Sequence, residues 1–373
     1  MRRWIAAAAM VLGLVACSDD PADPPSGPPA ADDRLSLSQP RAAHRATLLD
    51  DGRVLITGGC TEPGCEGFDA GRTSELFDPY AGLKAGPVMG TARASGTATL
   101  LADGRVLLAG GYPGEGDPPT RAAEIFDPAS GSFAPTGDLV VARADHSASL
   151  LADGRVLLAG GFDASGRAVA STEVFDPASG EFTTGPDLSA PRAAHVAARV
   201  GERVVVVGGT EESDALATTE VFEGGGWRRG PSLLTPRVKL GVAPIGDGRV
   251  WVVGGATESE GREKLASTEV LDVRNMSSTA GPFLPQGEYK LDGAVSLLDD
   301  GRVVVPSGDA LAVFDPASGK LRELAVTTYP AGSFRTVTPL TDRRVLVAGG
   351  YDDDIRPTAE AVVVTIPERA PSA

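Results

Sequence analysis

The chain has 373 residues, a formal net charge of −16 and a sequence pI near 4.7. So acidic a chain lacks the basic stripe expected of a nucleic-acid binder. Its length exceeds what one hydrophobic core usually supports, unless that core is divided among units that pack on their neighbours.

At the N-terminus, Arg2 and Arg3 precede a short apolar run over 4–16, the pattern of a signal peptide and too short to span a bilayer stably. The run ends Leu14-Val15-Ala16-Cys17, which resembles a bacterial lipobox. That resemblance implies a diacylglyceryl group on Cys17, which becomes the new N-terminus after cleavage. Ser18 at the next position, by analogy with enteric sorting, favours the outer membrane over the inner. Ordinary secretion with an incidental cysteine is the alternative. Residues 17–34, rich in Pro, Asp and Ala, have almost nothing to bury and read as a disordered tether. The expected organisation is thus a signal peptide over 1–16, a tether over 17–34, a folded body over 35–368 and a short tail over 369–373.

The body is repetitive. Asp-Gly-Arg-Val, a few apolar residues and Gly-Gly recur at 51–59, 103–111, 153–161 and 247–255, and weaker copies end at Gly209, Gly308 and Gly350. Seven units at a spacing of roughly 40–50 residues, each holding several short strands, predict a β-propeller. In the unit over 143–190, residues 144–151 alternate small and apolar side chains, and Asp153-Gly154 supplies a tight hairpin turn. Residues 155–159 form a nearly continuous apolar strand of the kind buried on both faces. Gly160-Gly161 ends it, residues 172–176 make a third strand, and Pro177 to Gly180 turn the chain into a fourth over 182–188.

This order resembles the kelch repeat, over about 35–366. Gly-Gly persists in six copies, and Pro306-Ser307-Gly308 replaces it in the sixth. The third-strand Glu recurs as Glu75, Glu124, Glu173, Glu220, Glu269 and Glu360, with Ala312 in the sixth unit. The fourth-strand aromatic appears as Trp227, Phe133 and Phe182. The fold expected is all-β, a seven-bladed propeller of four-stranded antiparallel blades. The last unit lacks a fourth strand, and 35–39 matches the end of one, so the N-terminal segment is expected to complete the last blade and remove an open edge.

Down the start of each unit run Arg41, Arg93, Arg143, Arg192, Arg237 and Lys290, with Gly332 in the last. Such a ring at one channel mouth would focus an anionic partner. Alternatively each cation pairs with the third-strand Glu over the bare Gly-Gly, as a structural unit. A second column, Arg53, Arg105, Arg155, Arg203, Arg249, Arg302 and Arg344, is expected to pair with Asp78, Asp127, Asp176, Glu223, Asp272 and Asp315 across the strands. His44, His146 and His195 each follow the leading Arg by three residues and read as repeat packing, since no further ligands complete a metal site. Cys60 and Cys65 flank one short loop, where an exported chain is expected to form a local disulfide. Asp352-Asp353-Asp354 lacks the glycine-punctuated pattern of a calcium loop.

No catalytic residue, metal or cofactor is assigned from the sequence. The chain lacks the Cys–Tyr crosslink and ligand set of copper radical oxidases, and has no Gly-x-Ser-x-Gly elbow or phosphate loop. The expected role is a lipid-anchored binding or scaffold propeller of the cell envelope, monomeric, periplasmic or surface-exposed. It would contact a protein or glycan through the uneven loops that follow each Gly-Gly. The alternative is an enzyme similar to sialic-acid mutarotases, acting on an anionic sugar at the channel mouth.

Overall fold

The computed structural model describes residues 34–63, 69–326, 332–352 and 354–369. The expected signal peptide, Cys17, nearly all of the tether, Cys65 and Asp353 lie outside the described residues. Within them, seven separate antiparallel sheets of four strands follow one another along the chain.

Blade 3 shows why the repeat folds this way. Its strands are Ser147–Leu150, Val156–Ala159, Thr172–Asp176 and Glu181–Thr184. The second strand is buried at every position, as a strand covered by blades on both faces must be. The outermost strand is exposed except at Phe182, whose ring meets Phe175 of the third strand at 4.8 Å. Aromatic pairs in the same places link Phe126 with Phe133 and Phe222 with Trp227.

The apolar core is divided among the interfaces between neighbouring blades. Leu107, Ala109 and Ile125 of blade 2 pack with Val156, Leu158 and Phe175 of blade 3. Blades 4 and 5 share a valine-rich cluster, and Trp251 of blade 5 stacks on Phe314 of blade 6 with ring centres 4.6 Å apart. This division is how one body escapes the size limit of a single core.

The ring closes as the sequence predicts. Arg34–Ser36 pairs antiparallel with Glu360–Thr365, Leu35 opposite Ala361, and becomes the outer strand of blade 7. The strand is shorter than 35–39 because the chain then turns inward. The Leu37 amide still donates to the Ala359 carbonyl at 2.7 Å, and its side chain is buried among Val54, Phe77, Leu346 and Val363. The Ser38 amide instead donates to Glu75 in blade 1. The strand runs from the side of the Asp-Gly hairpins toward the Gly-Gly side, since Ser36 faces Glu360 and Arg34 faces Val362.

Candidate binding face around the channel axis

The Gly-Gly step organises one face of the wheel. In blade 3, Gly160 and Gly161 have φ of 63° and 98°, and a side chain on Gly160 would run into the Arg192 carbonyl and the His195 ring. The bare backbone lets Arg143 lie across it. Arg143 Nη1 donates to the carbonyls of Gly160 (2.5 Å) and Ser171 (3.0 Å), and Nη2 meets Glu173 Oε1 at 2.7 Å. Glu173 also accepts from the Val140 and Val141 amides, at 2.6 and 2.9 Å, in the segment leaving blade 2. One ion pair therefore joins the first, second and third strands of its own blade to the exit of the previous one.

The pair recurs as Arg41–Glu75 (2.9 Å), Arg93–Glu124 (3.0 Å), Arg192–Glu220 (2.8 Å) and Arg237–Glu269 (2.9 Å). All five arginines are buried. Burial pushes each guanidinium below its ordinary value, and the facing glutamate pulls it back up. None of the five lines the axial cavity.

Lys290 does not continue this column, which corrects the register read from the sequence. Glu288 takes the arginine's place: its carbonyl accepts the Gly255 amide at 2.8 Å, as the Arg237 carbonyl accepts that of Gly209. Aligning on positive charge shifted the sixth unit by two residues. The same shift assigned Gly293 to the histidine column, where Leu291 packs beside Gly254. With Ala312 in place of the third-strand glutamate, the acid stands at the arginine's position, and Glu288 accepts the Gly308 amide.

Lys290 belongs to a different ring. Ala43, Ser95, Asp145, Ala194, Lys239, Lys290 and Phe334, one per blade, all hold φ between 50° and 59°. None is glycine, and the left-handed region costs such residues about 1–2 kcal/mol each. Hydrogen bonds along the ring offset that cost. Ser95 N–H donates to the Ala43 carbonyl (3.3 Å), Asp145 to Ser95, Ala194 to Asp145 and Lys239 to Ala194 (each 2.9 Å), and Lys290 to Lys239 (2.7 Å). All seven residues line the cavity on the axis, whose free volume is about 40 Å³. At roughly 10–15 Å³ per water it holds a few water molecules, far less than the roughly 300–1,000 Å³ of a site that engulfs a small molecule.

Charge is unevenly distributed around this mouth. Arg45 pairs with Asp292 at 2.5 Å. Asp145 is partly exposed and lines the axial cavity. Burial pushes its carboxyl up, and a bond with Ser95 and the charges of Arg45 and Lys239 pull it down. On the blade 5 and 6 side, Lys239 Nζ donates to the Ser259 carbonyl at 2.8 Å. Lys290 Nζ lies 4.4 Å from the Phe334 ring centre, 5.0 Å from Tyr289 and 5.9 Å from Tyr351, and Lys264 Nζ lies 5.1 Å from Tyr289. Burial lowers Lys239 and Lys290, with Lys290 acting on the first and Lys264 on the second. Burial also pushes the neighbouring hydroxyls of Tyr112 and Tyr351 up to about 12.

The histidines are stitches between blades. His44 Nε2 lies 3.0 Å from Thr336 Oγ1 of blade 7, His146 Nε2 3.2 Å from Thr97 Oγ1 of blade 2, and His195 Nε2 2.9 Å from Ser147 Oγ of blade 3. Burial first, then nearby arginines, depress all three, with His44 and His195 at about 3. Among the described residues, no group of three His, Cys, Asp or Glu side chains could hold a metal ion. Cys60 is buried and disulfide-bonded.

On the opposite face, the second arginine column pairs differently from expectation. Arg53, Arg105, Arg155 and Arg302 bind the hairpin aspartates two residues earlier, Asp51, Asp103, Asp153 and Asp300, at 2.6 to 2.7 Å. Among the described residues, the fourth blade alone follows the cross-strand pattern, Arg203 to Glu223 at 2.6 Å, because Gly201 stands where the hairpin aspartate would be. The third-strand acids are engaged elsewhere: Asp127 and Asp176 accept the amides of Ala129 and Ala178, closing their own turns.

A kelch motif matches residues 144–189, the third unit. No curated protein sequence matches the chain. Among solved structures the chain is similar to a novel fungal alcohol oxidase of the AA5 family in complex with copper. The TM-score is 0.68 and the identity 14%, over 90% of this chain and 76% of that one; the likeness is one of fold. The donors around this mouth do not fit a copper centre, because each histidine is buried between blades with Nε2 turned to a hydroxyl.

Proposed function

We propose that the protein is a lipid-anchored binding or scaffold propeller of the cell envelope, contacting a protein or glycan through its Gly-Gly face. The observation that carries this reading is the contrast on that face. The axial cavity is only about 40 Å³, whereas the connections after the second strands are uneven in length, running over 60–73, 112–122 and 256–267 against two residues at 308–309. A surface of this kind suits contact with a macromolecule better than enclosure of a substrate. The direction of Arg34–Ser36 adds an orientation. A tether on Cys17 would join the wheel at the hairpin side, where Arg34 enters, and leave the Gly-Gly face free for contact.

Two measurements test this. In detergent phase partition, the full chain should enter the detergent phase and the Cys17→Ser variant the aqueous phase; aqueous partition of both would remove the anchor. Photo-crosslinking from p-benzoylphenylalanine at Glu115 or Glu258, on the Gly-Gly face, should capture envelope components. The same probe at Ser130 or Ser179, on the hairpin face, should not, and the reverse pattern would overturn the assignment of the face.

A further inference from the structure

In a chain with 50 acidic residues, the lysines of the axial mouth stand out by what they lack. Most arginines of the blades have a carboxylate partner, on one face through the third-strand glutamates and on the other through the hairpin aspartates. Among the described residues, no carboxylate lies within salt-bridge distance of Lys239, Lys264 or Lys290. Asp145 attracts Lys239 from across the ring without pairing with it. The two ring lysines are partly buried, are held by left-handed backbone at the rim of a cavity, and repel one another. Tyr289, lying between Lys264 and Lys290, and Phe334 beside Lys290 supply rings that stabilise ammonium groups only modestly, by about 0.5–2 kcal/mol. An arriving anion would relieve this repulsion.

The shape selects among anions. A cavity of about 40 Å³ admits a carboxylate but not a sugar ring. A uronic or sialic acid carries its carboxylate directly on such a ring, whereas Asp and Glu carry theirs on a flexible arm. We infer that the axial mouth is an acceptor for a side-chain carboxylate of an acidic protein segment, bound between Lys239 and Lys290 with Lys264 at the rim. The inference rests on the binding reading above and names the class of partner for that face.

The test uses the full chain and fluorescein-labelled hexaglutamate, read by fluorescence anisotropy at low salt, with hexaglutamine as the uncharged control. Hexaglutamate should bind saturably and hexaglutamine should not. The Lys239→Met/Lys290→Met variant should weaken hexaglutamate at least tenfold while its melting temperature stays close to that of the parent. Equal binding to parent and variant, or no binding to the parent, overturns the inference. Binding of fluorescein-labelled glucuronate, with no binding of hexaglutamate, also overturns it in favour of a glycan. Capture of envelope components separates this failure from that of the wider reading. Capture that persists in the double variant removes the mouth as the site and leaves the binding face standing. Loss of all capture in the parent removes both.

Discussion

His44 Nε2 and Thr336 Oγ1 lie 3.0 Å apart although 292 residues separate them in the chain. The contact joins blade 1 to blade 7 and is the same stitch that joins blade 3 to blade 2 and blade 4 to blade 3. Burial in this seam, with Arg41 and Arg45 nearby, keeps the ring neutral. For a buried base with a depressed pKa, stability is fully present above the unfolded value of about 6.5. It is lost as pH falls through the folded value, which is about 3 for His44 and His195. Urea midpoints should therefore decline steadily from pH 7 to pH 4. His146→Leu should flatten that slope at little cost at pH 7, because Leu240 and Leu291 already fill the equivalent place in blades 5 and 6. An unchanged slope in the variant would remove the histidines as its source.

The buried pair in blade 3 gives a second expectation. Arg143→Ala leaves Glu173 charged and without its main partner, a loss of about 3–5 kcal/mol. Arg143→Met with Glu173→Leu should recover much of that loss. It should not recover all of it, since the Val140 and Val141 amides lose their acceptor, at about 1–3 kcal/mol. Chemical denaturation of Arg143→Met, Glu173→Leu and the double variant measures the coupling.

Two glycines one strand apart should behave very differently. Gly160→Ala meets the Arg192 carbonyl and the His195 ring, whereas Gly154, with φ of 86°, has nothing within 4 Å of a built side chain. The second change should cost only the left-handed strain of about 1–2 kcal/mol. Gly160→Ala should exceed that by at least about 2 kcal/mol, the scale of overpacking. Thermal melts of the two variants compare them directly.

On the hairpin face, Arg155 and Asp153 are each about half exposed, at 49% and 50%. Asp153→Ala should change stability by less than about 1 kcal/mol, and high salt should erase the difference. A larger loss would mean that the aspartate acts through the turn and not through the charge pair.

Much of this architecture was legible because glycine and charge recur in step. Gly-Gly marked the end of every second strand but one, and the empty space above it foretold where Arg143 and Glu173 would meet. The seam with the N-terminal strand followed from counting strands. Where legibility failed, one residue type could serve two roles. Lys290 imitated an arginine two positions away, and only the backbone bond from Gly255 to Glu288 resolves the register. The hairpin aspartates were read as turn formers alone, so their arginines were paired with acids across the sheet. The left-handed ring left no mark in the sequence: Ala43, Ser95, Lys239 and Phe334 share no chemistry, because a conformation imposed by neighbouring blades does not require a glycine.

Removing 34–39 should lower the melting temperature sharply. Burial of Leu35 and Leu37 contributes roughly 3–5 kcal/mol, or about 10 °C at 2–4 °C per kcal/mol. A truncated chain that melts where the parent does would show that blade 7 stands without its borrowed strand.

That borrowed strand also sets an order of events. Six sheets can each assemble from consecutive stretches as the chain emerges, but the last waits for Glu360–Thr365 to reach a partner made hundreds of residues earlier. Until then the earliest segment has nowhere to dock and the first and last sheets keep naked flanks, a condition that invites association with other chains. A nascent molecule is therefore most vulnerable until Glu360–Thr365 has emerged, and a chain cut before that strand leaves Arg34–Ser36 without its partner.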